Sequence, residues 1–270
     1  MLDTKNFGTA LITGASSGIG AIYADRLAAR GHDLVLVARN KDRLDAVADD
    51  LRRRHGRDVR IMAVDLTAAA QVAEVEATLR GDASITTLVN NAGFGAAGPL
   101  LGSDVERMVE MIAINVTVPT RLTYAVVPRL VARGGGTLIN IASIVAISPE
   151  MLNGVYGGSK AFVLAFSQSL RKELSDKGVR VQAVLPGATA TEFWEIAGNP
   201  VSNLPPSWVM SAADMVDAAL AGLDADEFVT IPSLPEAADW EAFEAARQAL
   251  MPNLSAAKPA SRYATRRVAA

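Results

Sequence analysis

Between Thr9 and Val184 the chain alternates short runs of Val, Ile and Leu with longer amphipathic stretches, and the first run leads straight into a glycine-rich loop. Strands joined through helices must lie parallel, and a parallel sheet needs both faces covered, so its strands read as continuous apolar runs. Strands are predicted at residues 9–13, 33–38, 59–64, 87–90, 137–142 and 179–185, with a seventh at 227–231. Helices are predicted at 19–29, 41–54, 68–79, 104–131, 154–177 and 212–223, several stopped by a glycine such as Gly31, Gly56 or Gly178. The pattern is that of an α/β chain: a single doubly wound domain over residues 1–270, with a parallel sheet of about seven strands and helices on both faces.

Composition removes several function classes. With 270 residues the chain can bury a substantial core without staples, and with no cysteine it has no disulfide, thiolate metal site or cysteine nucleophile. That usage suits a reducing compartment, and a cytoplasmic location is expected. A net charge of −3 offers no basic footprint for nucleic acid or anionic lipid, and no apolar run reaches the roughly 18 residues of a spanning helix. Residues Met1 to Lys5 show no targeting pattern. His32 and His55 read as surface or helix-end residues; neither has metal-ligand spacing, so no metal site is expected.

The chemistry begins at Thr13-Gly14-Ala15-Ser16-Ser17-Gly18-Ile19-Gly20. In a strand–loop–helix context such glycines allow a tight turn, close approach of backbone to pyrophosphate, and contact of helix with sheet, while the helix N-terminus offers free N–H groups to an anion. Downstream, in order, stand Asn90-Asn91-Ala92-Gly93, Asn115, Ser143 and Tyr156-x-x-x-Lys160. Taken singly, Tyr156 and Lys160 fit a helix-face pair, Ser143 a strand-end turn former and Asn115 a backbone-bonded polar residue. The ordered set, over about residues 6–231, resembles the short-chain dehydrogenase/reductase family, which implies a Rossmann fold and a nicotinamide cofactor.

Reducing a carbonyl with a hydride leaves negative charge on oxygen, which needs a proton and a preorganised donor. Tyr156 is the candidate general acid/base. Lys160, one helical turn on, is placed to favour the phenolate and to reach a cofactor ribose, and Ser143 to hydrogen-bond the substrate oxygen. By resemblance, Asn115 holds a water in a proton relay from Lys160. The resemblance also implies cofactor contacts from Gly14, Ser16, Ser17, Gly18, Ile19 and Gly20, from Asp65 and Leu66, from Asn91, Ala92 and Gly93, from Tyr156 and Lys160, and from Pro186, Gly187, Thr189 and Thr191. A cap for the helix from Ala68 onward is the alternative role for Asp65, and the two can coexist. The second strand ends in Ala38-Arg39-Asn40 without an acid, so the 2′-phosphate of NADP(H) is expected on Arg39 in preference to NAD(H). Against this, Ser17 stands where many NADP-preferring relatives carry a basic residue, and Arg39 also fits a solvated surface charge.

Substrate walls are expected from Phe94, Ile144, Val145, Met151, Leu152, Phe193 and Trp194, with Trp208 and Met210 beyond them in a long connection at about residues 186–210. These stretches contain no Lys or Arg, so a small to medium, largely neutral carbonyl or secondary alcohol is expected. A ketoacyl-type reductase of lipid or polyketide synthesis and a non-catalytic NADP(H)-binding redox sensor are the alternatives. The helix at 154–177 is apolar on more than one face (Phe162, Val163, Leu164, Phe166, Leu170), which points to a homodimer or homotetramer. A last amphipathic helix is predicted at 236–250, followed by an Ala-, Pro- and Arg-rich tail.

Overall fold

Strand β1 (Thr9–Thr13) is buried along its whole length and pairs in parallel with β2 (Asp33–Ala38) on one side and β4 (Ile85–Asn90) on the other. β3 (Val59–Ala63), β5 (Gly136–Ile141), β6 (Val179–Val184) and β9 (Val229–Thr230) complete a seven-stranded sheet of order β3-β2-β1-β4-β5-β6-β9. The doubly wound α/β fold expected from the alternation is therefore the one formed. The computed structural model describes residues 7–263, so Met1–Asn6 and residues 264–270 of the tail lie outside the described residues.

Alternate side chains of each strand feed two cores, as the strand period of two requires. Ile12, Leu34 and Leu36 pack beneath α1 (Gly18–Ala29), α2 (Lys41–His55) and α8 (Ala212–Asp224), meeting Tyr23, Leu44, Met215 and Leu220. On the opposite face Leu11, Val35, Leu88 and Leu138 meet Val75 and Leu79 of α3 (Ala69–Gly81), Leu122 and Val126 of α5 (Val118–Ala132) and Leu170 of α6 (Gly154–Leu174). Under α5 and α6 a buried polar chain ties helices to sheet: Asn90 donates to Asn140 Oδ1 at 2.9 Å and to Thr123 Oγ1 at 3.2 Å, and Asn140 donates to Ser167 Oγ at 2.9 Å.

One predicted element is divided. In place of an unbroken helix over 104–131 the structure has α4 (Val105–Ile112), a π-helical turn over Ala113–Thr117, and α5. The Val118 N–H reaches back five residues to the Ala113 carbonyl, and Pro119, which has no N–H to donate, follows directly on that turn. The inserted residue turns Asn115 inward, where it is buried. Gly56 closes α2 at φ +63°, in the left-handed region that glycine adopts without strain.

The chain divides into two compact units, the first ending at Pro232 and the second beginning at Ser233. The second contains α9 (Ala237–Ala249), in which the rings of Trp240 and Phe243 stand 5.4 Å apart. Among the described residues no helix is long and apolar enough to cross a membrane, and no group of three or more acidic or histidine side chains could hold a metal ion. His55 ends α2 with Nε2 2.8 Å from Asp25 Oδ1, and His32 packs on the Phe7 ring.

At the base of β4, Asp82 Oδ1 accepts from the Ser84 N–H at 2.9 Å and its Oδ2 from Arg60. Burial alone would raise this carboxyl, but the Ser84 and Arg60 bonds outweigh it and hold it at about 2. A carboxyl depressed in the fold contributes stability above its unfolded pKa and loses it as pH falls through the folded value. Asp82→Asn is expected to lower stability by about 2 kcal/mol near pH 7, and the gap to the parent should close as the pH falls from about 5 toward 2. Urea denaturation across that range reads the difference.

Candidate active site

The site grows from the reversal point of the sheet, where β1 and β4 lie side by side and their connections leave in opposite directions; ligands of open parallel sheets lie at such crevices. Thr13 ends β1, and its hydroxyl accepts the N–H groups of Asn91 and Ala92, both at 3.0 Å, while Asn91 Nδ2 donates to the Thr13 carbonyl at 2.8 Å. The glycine loop and the turn after β4 are thereby joined. Gly14 adopts φ +69°, and a Cβ on Gly20 would strike the Gly14 carbonyl and lie 2.6 Å from Asn91 Nδ2. The loop opens α1, whose N-cap Ser17 forms no side-chain capping bond and whose first turn contains no acid. Those orphan N–H groups and the positive end of the helix dipole fit a dinucleotide phosphate.

At the ends of β2 and β3, exposed Arg39 lies near enough to Asp65 to lower its carboxyl, after the larger effect of the Thr67 backbone N–H and against partial burial. The capping reading of Asp65 is corrected: Ala68 is the N-cap of α3, and the Asp65 carboxylate instead closes a turn onto Thr67 N and Oγ1, each at 2.9 Å. Leu66 beside it is buried in the core. Across the cleft, Glu192 pairs with Arg43 of α2 at 2.7 Å and bonds Ser17, while Thr191 lies against Gly18.

Ser143 follows β5, and Tyr156 and Lys160 sit one turn apart on α6, whose N-cap Asn153 accepts from Val155 N at 2.9 Å. All three side chains are buried and converge: Ser143 hydrogen-bonds the Tyr156 hydroxyl, and Lys160 Nζ is 5.9 Å from the Tyr156 ring centroid. Burial pushes the Tyr156 hydroxyl up to about 12, with the Ser143 bond pulling the other way. Burial brings Lys160 down to about 8. The Lys160 ammonium donates to the Ile141 carbonyl at 2.9 Å. Asn115 Nδ2 donates to Phe94 O at 2.9 Å and to Ser159 Oγ at 3.0 Å. A Cβ on Gly93 would fall 2.7 Å from Asn115 Oδ1 and 3.7 Å from Lys160 Nζ, so only glycine lets the turn after β4 pack this closely against Asn115.

The Tyr156 ring lies in an apolar cluster with Ala96, Met108, Met111 and Val145, bordered by Phe94, Leu152, Val155 and Phe193. Trp194 is buried and edge-on to Phe193, its Nε1 donating to the Thr189 carbonyl at 3.0 Å. Pro186 O accepts from Ile144 N at 3.0 Å, and Thr189 Oγ1 donates to Gly187 O at 3.2 Å, so this segment is threaded onto the end of β5. Met151 and Trp208 are not drawn in: they are 53% and 66% exposed, and Met210 packs on the sheet core instead. Sequence reasoning missed Ser159, Gly95 and Arg43, and placed Thr13 in the glycine motif without its junction role. It also missed Arg107, a cation that enters from α4 to lie 5.6 Å over the Phe94 ring. A Pro inside the first turn after a buried Asn is the available signal for the helix break that orients Asn115.

A family model described as short chain dehydrogenase matches residues 8–199. The chain belongs to the short-chain dehydrogenase family. Among solved members, a short-chain dehydrogenase from Sphingobium yanoikuyae in complex with NADPH is 51% identical, with a TM-score of 0.92 over 95% of this chain and 100% of that one. The bulky-bulky ketone specific alcohol dehydrogenase from Comamonas testosteroni is 45% identical, with a TM-score of 0.89 over 97% and 100% of the two chains. The very-long-chain 3-oxoacyl-CoA reductase of Bos taurus is 36% identical over 69% of this chain and 61% of its own length, so the match spans about three-fifths of that reductase.

Removing the Thr13 hydroxyl strands the N–H groups of Asn91 and Ala92, at a cost of about 1–3 kcal/mol, whereas serine keeps the acceptor. Thermal melts should show Thr13→Val several degrees below the parent and Thr13→Ser close to it.

Proposed function

We propose that the protein is an NADP(H)-dependent oxidoreductase of small to medium, largely neutral ketones, aldehydes and secondary alcohols. The convergence of Ser143, Tyr156 and Lys160 beside the glycine loop carries this reading. A bound reduced nicotinamide supplies the hydride to the carbonyl carbon. Tyr156, a phenol protonated at neutral pH and pushed by burial up to about 12, donates its proton to the carbonyl oxygen, which becomes the hydroxyl of the product. The Ser143 hydroxyl donates a second hydrogen bond to the same oxygen as charge develops there. Lys160, at about 8 largely charged at pH 7, stabilises the phenolate left behind and returns a proton to it, with Asn115 beside Gly93 as the next member of the relay. The oxidation of an alcohol runs the same steps backwards.

Arg39 supports the phosphorylated cofactor, since it stands where an NAD binder carries an acid, and the Sphingobium relative was solved with NADPH. The ketone substrate is supported by the Comamonas relative and by the apolar lining. A second reading, reduction of a 3-oxoacyl thioester, is favoured by the bovine relative and by Arg107 at the rim of the cluster, although that guanidinium is already bonded to the Ile196 carbonyl. Self-association is supported by an exposed aromatic stack along α5 and α6, where Phe166 lies 6.5 Å from Tyr124 and 5.6 Å from Phe162. The protein should sediment as a dimer or tetramer.

A panel of ketones, aldehydes and one 3-oxoacyl thioester, followed by NADPH loss, tests the reading. Tyr156→Phe should lose about 10²-fold or more in kcat/KM, the range of general acid catalysis. Arg39→Gln should lose about tenfold or more with NADPH and little with NADH, as for a hydrogen bond to a charged group. Full activity of Tyr156→Phe would refute the assignment, and a parent that prefers NADH would refute the role of Arg39.

A further inference from the structure

Arg43 differs from other cations of α2 in where its partner lies. Lys41 pairs with Asp45, Arg52 with Asp49, and Arg53 and Arg54 with Asp50, each three or four positions away along the same helix. The positions three and four from Arg43 hold Asn40, Arg39, Ala46 and Val47, so no acid of α2 stands at helical spacing from it. Its guanidinium instead reaches 149 positions along the chain and donates from Nη1 to Glu192 Oε2 at 2.7 Å. Glu192 stands between Thr191, which lies against Gly18 of the glycine loop, and α7 (Phe193–Ile196). The same carboxylate accepts from the Ser17 hydroxyl, which makes no capping bond to α1. An anion of the chain itself is thus set among groups that suit an anion of the cofactor. By resemblance, Ser17 stands where NADP-preferring relatives carry a basic residue, and Arg43 lies in the first turn of the helix that follows exposed Arg39.

Resting on the NADP(H) reading, we infer that Glu192 is a built-in competitor of the cofactor 2′-phosphate: its carboxylate occupies Ser17 and Arg43, the phosphate displaces it, and Arg43 is thereby a second specificity-determining cation beside Arg39. The pair is open to exchange, since the two side chains are 52% and 56% exposed and exposed pairs are weak. A phosphate monoester brings more charge and three oxygens suited to the guanidinium fork, so it takes the arginine from the carboxylate. A cofactor without that phosphate offers nothing in exchange, and the pair stays closed. Only the Glu192 side chain has to turn. Trp194 and Ala197 are buried, and Trp194 Nε1 donates to the Thr189 carbonyl at 3.0 Å, so the backbone of α7 stays where it is. Other charges nearby are committed: Lys41 is held by Asp45, and Asp65, near Arg39, closes its turn onto Thr67. The site does without a basic residue at position 17 because Arg43 supplies the charge, and Glu192 neutralises that charge until a phosphate arrives.

Binding without turnover tests this. Dissociation constants are measured for 2′,5′-ADP and 5′-ADP by calorimetry and for NADPH and NADH by nicotinamide fluorescence, in the parent, Glu192→Gln, Arg43→Gln and the double variant. Glu192→Gln should bind 2′,5′-ADP and NADPH about fivefold more tightly than the parent, the upper range for an exposed ion pair, with 5′-ADP and NADH unchanged. Arg43→Gln should bind the two 2′-phosphorylated ligands about tenfold more weakly and again leave the other two as they were. In the double variant the gain from Glu192→Gln should vanish, because the carboxylate no longer has that arginine to occupy. Parental affinity for 2′,5′-ADP in Glu192→Gln overturns the inference, and so does a gain that persists in the double variant. Weaker binding of all four ligands by Glu192→Gln also overturns it, since the carboxylate would then strap the bound dinucleotide. A parent that binds 5′-ADP as tightly as 2′,5′-ADP refutes the NADP(H) reading itself. A parent that prefers 2′,5′-ADP, with variants at 43 and 192 that bind as the parent does, refutes the competitor alone.

Discussion

Thr13 ends the central strand, and through one hydroxyl it accepts two backbone N–H groups from the turn after β4. Everything proposed for the site depends on that junction. The glycine loop lies on one side of it, and Gly93, with Asn115 and Lys160 behind, on the other. Gly20 presses α1 against the same point, so close that a single methyl group has no room. The two halves of the sheet diverge here, and the fixed junction gives the cleft a rigid floor.

Burial then sets the chemistry. Tyr156 and Lys160 lie under the same apolar cover, which disfavours charge on both, raising the phenol and lowering the ammonium. The two groups are moved in opposite senses, leaving an acid that keeps its proton at neutral pH beside a base that exchanges one near it. An oxidised nicotinamide placed against this pair would add positive charge where the protein has removed water.

Much of this was legible in the sequence, for reasons that can be stated residue by residue. The strands of the sheet's interior are buried on both faces, so Leu11, Leu36 and Leu88 belong to unbroken apolar runs that nothing else explains. The Tyr156–Lys160 spacing is one helical turn, and local spacing survives translation into three dimensions. What was not legible depends on contacts between distant residues or on breaks without a compositional mark. The apolar periodicity runs through residues 113–117 unchanged, so the π-helical turn that buries Asn115 left only Pro119 as a trace. Arg43 and Glu192 are 149 positions apart, and Gly95 meets Phe193 only because α7 folds back over the cleft. The cover of the phenol is likewise a product of packing.

The short β7 (Thr189–Ala190) and β8 (Met210–Ser211) pair, and the stretch it brackets, lie outside the seven-stranded sheet. Substitutions in that stretch can alter which molecules are turned over while the hydrophobic interior that decides folding stays as it was. A lineage built this way is free to change its diet by drift in one loop, with selection for stability and selection for substrate acting on different parts of the gene.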